Sequence, residues 1–151
     1  MREIEINNDA AKATSIEFNQ KVSGQLSSSA DTDWYSLKVL SPGVIKLTLD
    51  FPLATSTADY QLYNNHWEAT ILDEQKNIIS QSRYDGYKRT ATLEGATSSA
   101  GTYYIQIAPS YYSSQNDYSV SSTFSSTTGT REAEINNDAA KATSIEFNQK
   151  V

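Results

Sequence analysis

The chain has 151 residues, 38% of them apolar and 20% charged, enough for one globular domain that buries about 70% of its unfolded surface and against disorder or a collagen-like helix. Zero cysteines exclude a disulfide framework and a thiolate zinc site, and no apolar run approaches the roughly 18 residues of a membrane span. A net charge of −6 and a pI near 4.7 argue against nucleic acid and anionic membrane surfaces and make cations the natural partners.

In chain order, Glu3 to Asn7 reads as an extended opening segment. Asp9 to Thr14 is the one stretch with helical character, because Asp9 can cap a turn begun by Ala10, Ala11 and Lys12. Thereafter the apolar pattern has period two. Lys21 to Leu26 has strand character. Asp33 to Val39 places Tyr35, Leu37 and Val39 on one side, and Val44 to Phe51 sets Ile45, Leu47, Leu49 and Phe51 against Lys46, Thr48 and Asp50. The Ser41-Pro42-Gly43 turn between them predicts a hairpin. Further strands are predicted at Trp67 to Leu72, Ile78 to Arg83, Thr90 to Leu93, Gly101 to Ala108 and Tyr118 to Phe124. Many short strands with polar turns predict an all-β, antiparallel β-sandwich.

The chain also repeats itself. Glu3 to Val22 reads EIEINNDAAKATSIEFNQKV, and Glu132 to Val151 reads EAEINNDAAKATSIEFNQKV, so the copies differ only where Ile4 becomes Ala133. The offset, 132 against 3, is 129 residues, too long for a solenoid repeat, so each period is expected to be a self-sufficient bead. Residues 3–124 then form one repeat, 125–131 a small polar linker, and 132–151 the opening of the next. The second copy can project as a tail or invade a neighbouring molecule in a head-to-tail strand exchange. Ile4 would favour the first copy by on the order of 2 kcal/mol if that position is internal.

The order Glu5-Ile6-Asn7-Asn8-Asp9, an Ala-rich turn, Val22-Ser23-Gly24-Gln25-Leu26, Asp31-Thr32-Asp33-Trp34-Tyr35, Ser41-Pro42-Gly43 and Gly101-Thr102-Tyr103-Tyr104-Ile105 resembles the bacterial pre-peptidase C-terminal domain. That family includes the collagen-binding domains of clostridial collagenases. The resemblance runs from Glu3 to Phe124 and implies a jelly-roll-like β-sandwich, secreted or surface-exposed, without catalysis of its own and often binding calcium near its N-terminal segment. The stretch Ala54 to Asn65 is longer than the usual connection. Met1 is followed by neither a basic nor an apolar signal region, so a secreted parent would contain this chain as an excised piece.

Calcium takes six to eight oxygen ligands, usually carboxylates mixed with amide and backbone carbonyls. Glu3, Glu5 and Asn7 alternate, so an extended strand would project them from one face, with Asn8 and Asp9 at the bend. Asp31 and Asp33 also point to one side. The family resemblance implies that Glu3, Glu5, Asn7, Asn8, Asp31 and Asp33 hold the ion together, with Asn8 standing where an aspartate is common. The plainer alternative is a solvated edge strand with Asp31 and Asp33 as ordinary turn residues.

Ten tyrosines and two tryptophans form the second constellation. Tyr111 and Tyr112 lie side by side in a polar loop, and one of Tyr103 and Tyr104 is expected to face solvent because the two are opposite in phase. Such rings suit a carbohydrate or collagen-like ligand, with Tyr104, Tyr111 and Tyr112 as candidates; they equally suit packing on the sandwich surface. The lone histidine, His66, fits an ordinary surface position. No Gly-x-Ser-x-Gly elbow, phosphate loop or His-Glu-x-x-His occurs. The expectation is a noncatalytic tandem module of a secreted or cell-surface protein, acting as spacer or presenting domain. Its expected partners are calcium, neighbouring repeats, and a carbohydrate or matrix protein.

Overall fold

A computed structural model describes residues 1–28, 30–50, 67–84, 90–109 and 117–127. Nine strands follow a short 3-10 turn at Ala10–Lys12: β1 Thr14–Ser15, β2 Val22–Gly24, β3 Asp33–Val39, β4 Gly43–Asp50, β5 Trp67–Leu72, β6 Ile78–Tyr84, β7 Thr90–Thr97, β8 Gly101–Pro109 and β9 Tyr118–Ser126. They form a five-stranded sheet in the order β1-β3-β8-β5-β6 and a four-stranded sheet in the order β2-β9-β4-β7. All pairings are antiparallel except that of the two-residue β1 with β3. The expected all-β sandwich is thus what the chain forms. No helix among the described residues is long and apolar enough to cross a membrane.

The period-two pattern translates directly into burial. In β3, Tyr35, Leu37 and Val39 are buried; in β4 the buried set is Ile45, Leu47 and Leu49, as the alternation requires. The inner faces of the two sheets meet through Trp67, Tyr35, Tyr118, Leu47, Ile71, Ile105 and Ile107, and each buried aliphatic side chain contributes about 1.5–3 kcal/mol. The Trp67 and Tyr118 rings meet edge to face, with centroids 5.7 Å apart.

Three features differ from the expectations. β3 and β4 are not a hairpin: β3 pairs with β8, while β4 pairs with β7 and β9 in the other sheet. Both strands have one apolar face, and crossing to the opposite sheet lets those faces meet each other rather than lie side by side. Alternation reports which face is buried, not which strand is the neighbour. β7 continues past Leu93 to Thr97, with Gly95 lying within the ladder opposite Ile45. A Cβ there would stand 3.1 Å from Ile71 Cδ1 and 3.2 Å from Ile79 Cγ2, so the glycine marks close approach of the facing sheet. β9 runs on through Ser125 and Ser126, which pair with Val44 and Gly43, two residues into the stretch read as linker. The capped turn forms as expected, with Lys12 N donating to Asp9 Oδ1 at 3.1 Å.

The opening segment closes one edge of each sheet. Arg2 bridges Ser23 in parallel, and β1 extends the five-stranded sheet beside β3. Residues 1–24 therefore tie the two sheets together at one end of the sandwich, and that end holds the acidic residues.

Candidate metal centre

Carboxylate oxygens of Glu3, Glu5 and Asp33 lie within 4.8 Å of one another. Glu3 and Asp33 are buried and Glu5 is exposed. Their convergence does not come from a regular strand at Glu3 to Asn7, as the alternation suggested. Glu3 and Asn7 turn inward, Glu5 sits at a bend facing outward, and Asp33 arrives as the first residue of β3. Trp34 N donates to Asn7 O at 2.9 Å, which pins the opening segment beside the start of β3.

Asn7 is fully buried among these oxygens. Its Nδ2 donates at 3.4 Å to Glu3 Oε2, to Thr14 Oγ1 and to Trp34 O, while its Oδ1 has no hydrogen-bond partner. Asp33 Oδ1 is buried without a partner as well. Leaving such atoms unpaired costs about 1–3 kcal/mol each, more when the group is charged. Asp31 stands alongside, buried, its Oδ2 accepting from Ser27 N at 2.7 Å and from Ser27 Oγ at 2.9 Å. Turned so that its nitrogen faces the acceptors, the Asn8 amide donates to Thr32 O at 2.9 Å and Asp31 Oδ1 at 2.8 Å. All six sequence candidates thus lie at one end of the sandwich.

Sequence reasoning missed the floor of the site. Tyr35 donates to Glu3 Oε2 at 2.9 Å, Tyr35 and Tyr118 hydroxyls lie 2.5 Å apart, and the Tyr118 hydroxyl lies 2.6 Å from Asp33 Oδ2. Gln25 N donates to Glu3 Oε1 at 2.6 Å. Gly24 makes room for the tyrosine pair, since a Cβ at that position would stand 2.5 Å from both hydroxyl oxygens. Tyr35 was findable, because it follows Asp33 by two residues and shares its face. Tyr118 carries no local signal, coming from a strand 85 residues away from Asp33.

Burial dominates the electrostatics. It pushes the Asp33 carboxyl up to about 9, opposed by the Tyr118 hydrogen bond and reinforced by Glu3 and Asp31. Glu5 is also raised, by burial first and then by Glu3 and Asp31. Tyr35 and Tyr118 are both raised, chiefly by burial. Tyr35 donates to Glu3 and Tyr118 donates to Asp33, so each buried carboxyl is capped by a tyrosine hydroxyl.

The remaining candidates fall on other surfaces. Tyr103 is buried, its hydroxyl donating to Ser99 O at 2.8 Å, and Tyr104 faces outward, half-buried. Tyr104 meets Trp34 edge to face at 6.0 Å on the outer face of the five-stranded sheet; Trp34 was not among the sequence candidates. Tyr111, Tyr112, His66, the stretch from Ala54 to Asn65 and the second copy from Glu132 to Val151 lie outside the described residues.

No family model and no curated protein matches the sequence. Among solved structures, the chain is similar to the pre-peptidase C-terminal domain of collagenase from Bacillus anthracis at 21% identity and a TM-score of 0.50, over 78% of this chain and 100% of that one. It is also similar to PliG of Aeromonas hydrophila, a periplasmic inhibitor of g-type lysozyme, at 14% identity and a TM-score of 0.46, over 75% of this chain and 97% of that one. A third similar structure is the lectin domain of lectinolysin complexed with Lewis B antigen, at 15% identity and a TM-score of 0.40, over 72% of each chain. At these identities the first likeness speaks to fold: the chain has the β-sandwich fold of a pre-peptidase C-terminal domain.

Proposed function

We propose that this chain is a noncatalytic, calcium-binding β-sandwich module of a secreted or cell-surface protein, acting as a spacer or presenting domain. The observation that carries the reading is the convergence of Glu3, Glu5 and Asp33 within 4.8 Å together with two buried oxygens, Asn7 Oδ1 and Asp33 Oδ1, that have no hydrogen-bond partner. An oxygen-only, acidic, largely buried set suits a hard cation better than zinc or copper, which favour nitrogen and sulfur. Glu3, Glu5 and Asp33 would hold the ion, with Asn7, Asn8 and Asp31 offering further oxygens. The bound ion would neutralise the buried carboxylates and clamp the opening segment onto β3, stiffening the entry to the module.

Isothermal calorimetry with calcium on the chelator-treated chain tests this. One ion per chain is expected, together with a melting temperature raised by on the order of 10 °C when calcium is a hundredfold above its Kd. No binding heat and an unchanged melt in millimolar calcium would contradict the reading.

A second reading rests on a different observation. The outward Trp34–Tyr104 pair presents ring surface on the five-stranded sheet, a platform suited to a carbohydrate or a collagen-like peptide, with Tyr111 and Tyr112 as further candidates. A glycan and matrix-protein array separates the readings: a binder gives a hit that Tyr104→Ala removes, and a spacer gives none.

A further inference from the structure

The outer face of the five-stranded sheet carries more than the Trp34–Tyr104 pair. Its ladders align the side chains into rows that run across the strands. Ser36 stands opposite Tyr104, Tyr104 opposite Leu72 and Leu72 opposite Ile78. In the neighbouring row Trp34 stands opposite Gln106, Gln106 opposite Thr70 and Thr70 opposite Gln81. The first row is apolar from Tyr104 onward, with Leu72 5% exposed as a floor before Ile78, which is 59% exposed. Beyond Trp34, the second row consists of two amides and a hydroxyl. From β3 to β6 each row spans three strand spacings, about 14 Å, and the two rows lie about 7 Å apart.

The chemistry of the two rows selects a ligand. Gln81 is engaged, its Nε2 donating to Thr70 Oγ1 at 2.9 Å and to Glu68 Oε1 at 3.2 Å. Gln106 is half-buried and its side chain makes no hydrogen bond, which leaves an amide carbonyl and an NH2 group open to a ligand. Neither row carries a charge. On the same face Arg83 and Glu68 pair with each other at 3.6 Å, and Lys38 stands one row away, opposite Thr102. In a chain of net charge −6 this neutral field complements an uncharged ligand and offers little to phosphate, sulfate or carboxylate groups. The backbone beneath it is closed as well. β3, β8 and β5 each have neighbours on both sides, so an extended peptide cannot add there as a strand. A sugar ring needs neither a charge nor a free edge: its C–H face stacks on an aromatic ring, and its rim of hydroxyls takes donors and acceptors placed alongside.

Resting on the ring platform of the second reading, we propose that the outer face of the five-stranded sheet binds an uncharged polysaccharide lying along the Tyr104–Leu72–Ile78 row. One sugar stacks at the Trp34–Tyr104 pair and bonds its hydroxyls to Gln106. The direction of the row has a consequence for ligand length. A disaccharide covers Tyr104 and Gln106, whereas a longer oligomer also covers Ile78 on the edge strand β6.

Retention of the chain is measured on immobilised cellulose, glucomannan, arabinoxylan and pullulan, on heparin and polygalacturonate, and on a Gly-Pro-Hyp triple-helical peptide. Retention on at least one neutral polymer and on neither acidic one is expected. Tyr104→Ala should weaken it about tenfold or more and Gln106→Ala about fivefold. Ile78→Ala should weaken a long oligomer of that polymer and leave its disaccharide unchanged, and Thr92→Ala, exposed on the other sheet, should change neither. The Gln106 side chain is unbonded and Ile78 is largely exposed, so both variants keep the fold, which thermal melts check. Retention on none of the probes would overturn the ring platform and the polysaccharide together. Retention on the peptide or the acidic polymers alone, or on a neutral polymer with no loss in Gln106→Ala and Ile78→Ala, would leave the platform standing and overturn the polysaccharide assignment.

Discussion

The two ends of this sandwich are built on opposite principles. Around Ile45, Leu47 and Ile71 the sheets meet through side chains without charge, all fully buried, and the packing needs nothing from outside the chain. At the other end Glu3, Asn7, Asp31 and Asp33 are buried, Asn7 Oδ1 and Asp33 Oδ1 have no hydrogen-bond partner, and burial raises the Asp33 carboxyl pKa. Folding there costs free energy that an apolar contact would return. The difference teaches that the stability of the first region is unconditional, while that of the second depends on what neutralises it.

Breaking the apolar end should have the largest effect. Ile45→Ala removes a fully buried side chain from the inner face of β4, and a loss of about 2–5 kcal/mol is expected. Urea unfolding should show the same loss with calcium and with chelator, because the damage is to packing.

Asp33→Asn should sharpen the contrast. Without calcium it removes a carboxyl that must take up a proton to be buried at neutral pH and leaves stability equal or higher, whereas with calcium at a hundredfold excess over the wild-type Kd it forfeits about 2.7 kcal/mol of ion stabilisation. Paired melts in calcium and in chelator check both halves.

Stability against pH comes next. In the folded, ion-free chain Asp33 titrates at about 9, against about 4 when unfolded. The folded state thus binds the extra proton between those values. The contribution of Asp33 is fully present below about pH 4 and is lost as pH rises toward 9. Ion-free wild type should lose stability relative to Asp33→Asn from pH 5 to pH 8.5 in urea titrations. Calcium affinity should rise over the same interval, because the ion needs the ionised carboxylate.

The smallest effect is expected at Arg2, whose pairing with Asp117 is exposed on both sides. Arg2→Ala should leave the melting temperature unchanged within error, since solvent and salt screen such pairs.

The faces of β3 and β4 were legible because Tyr35, Leu37, Ile45 and Leu47 recur at every second position, and one-sided burial requires that. Their partners were not. Ser41-Pro42-Gly43 turns the chain equally well within a sheet or between sheets, and the choice belongs to the whole core. The extension of β7 past Leu93 was hidden for a related reason: a glycine such as Gly95 can mark a turn or a close approach, and only the facing Ile71 and Ile79 decide which. At the acidic end the oxygens were legible residue by residue, but not which of them turn inward, because Glu3 to Asn7 follows no regular period. Tyr118 and Gly24 were out of reach of any local reading, since their role depends on a contact between distant strands.

The central claim is that the acidic end is completed by a cation while the apolar end is complete by itself. Amide hydrogen exchange with and without calcium tests it most directly. The amides of Gln25 and Trp34, which donate to Glu3 and Asn7, report the first region, and those of Leu47 and Ile105 within the ladders report the second. Under conditions where exchange proceeds by local opening, calcium should slow Gln25 and Trp34 at least tenfold and leave Leu47 and Ile105 unchanged. Equal exchange at Gln25 and Trp34 in calcium and in chelator would contradict the account.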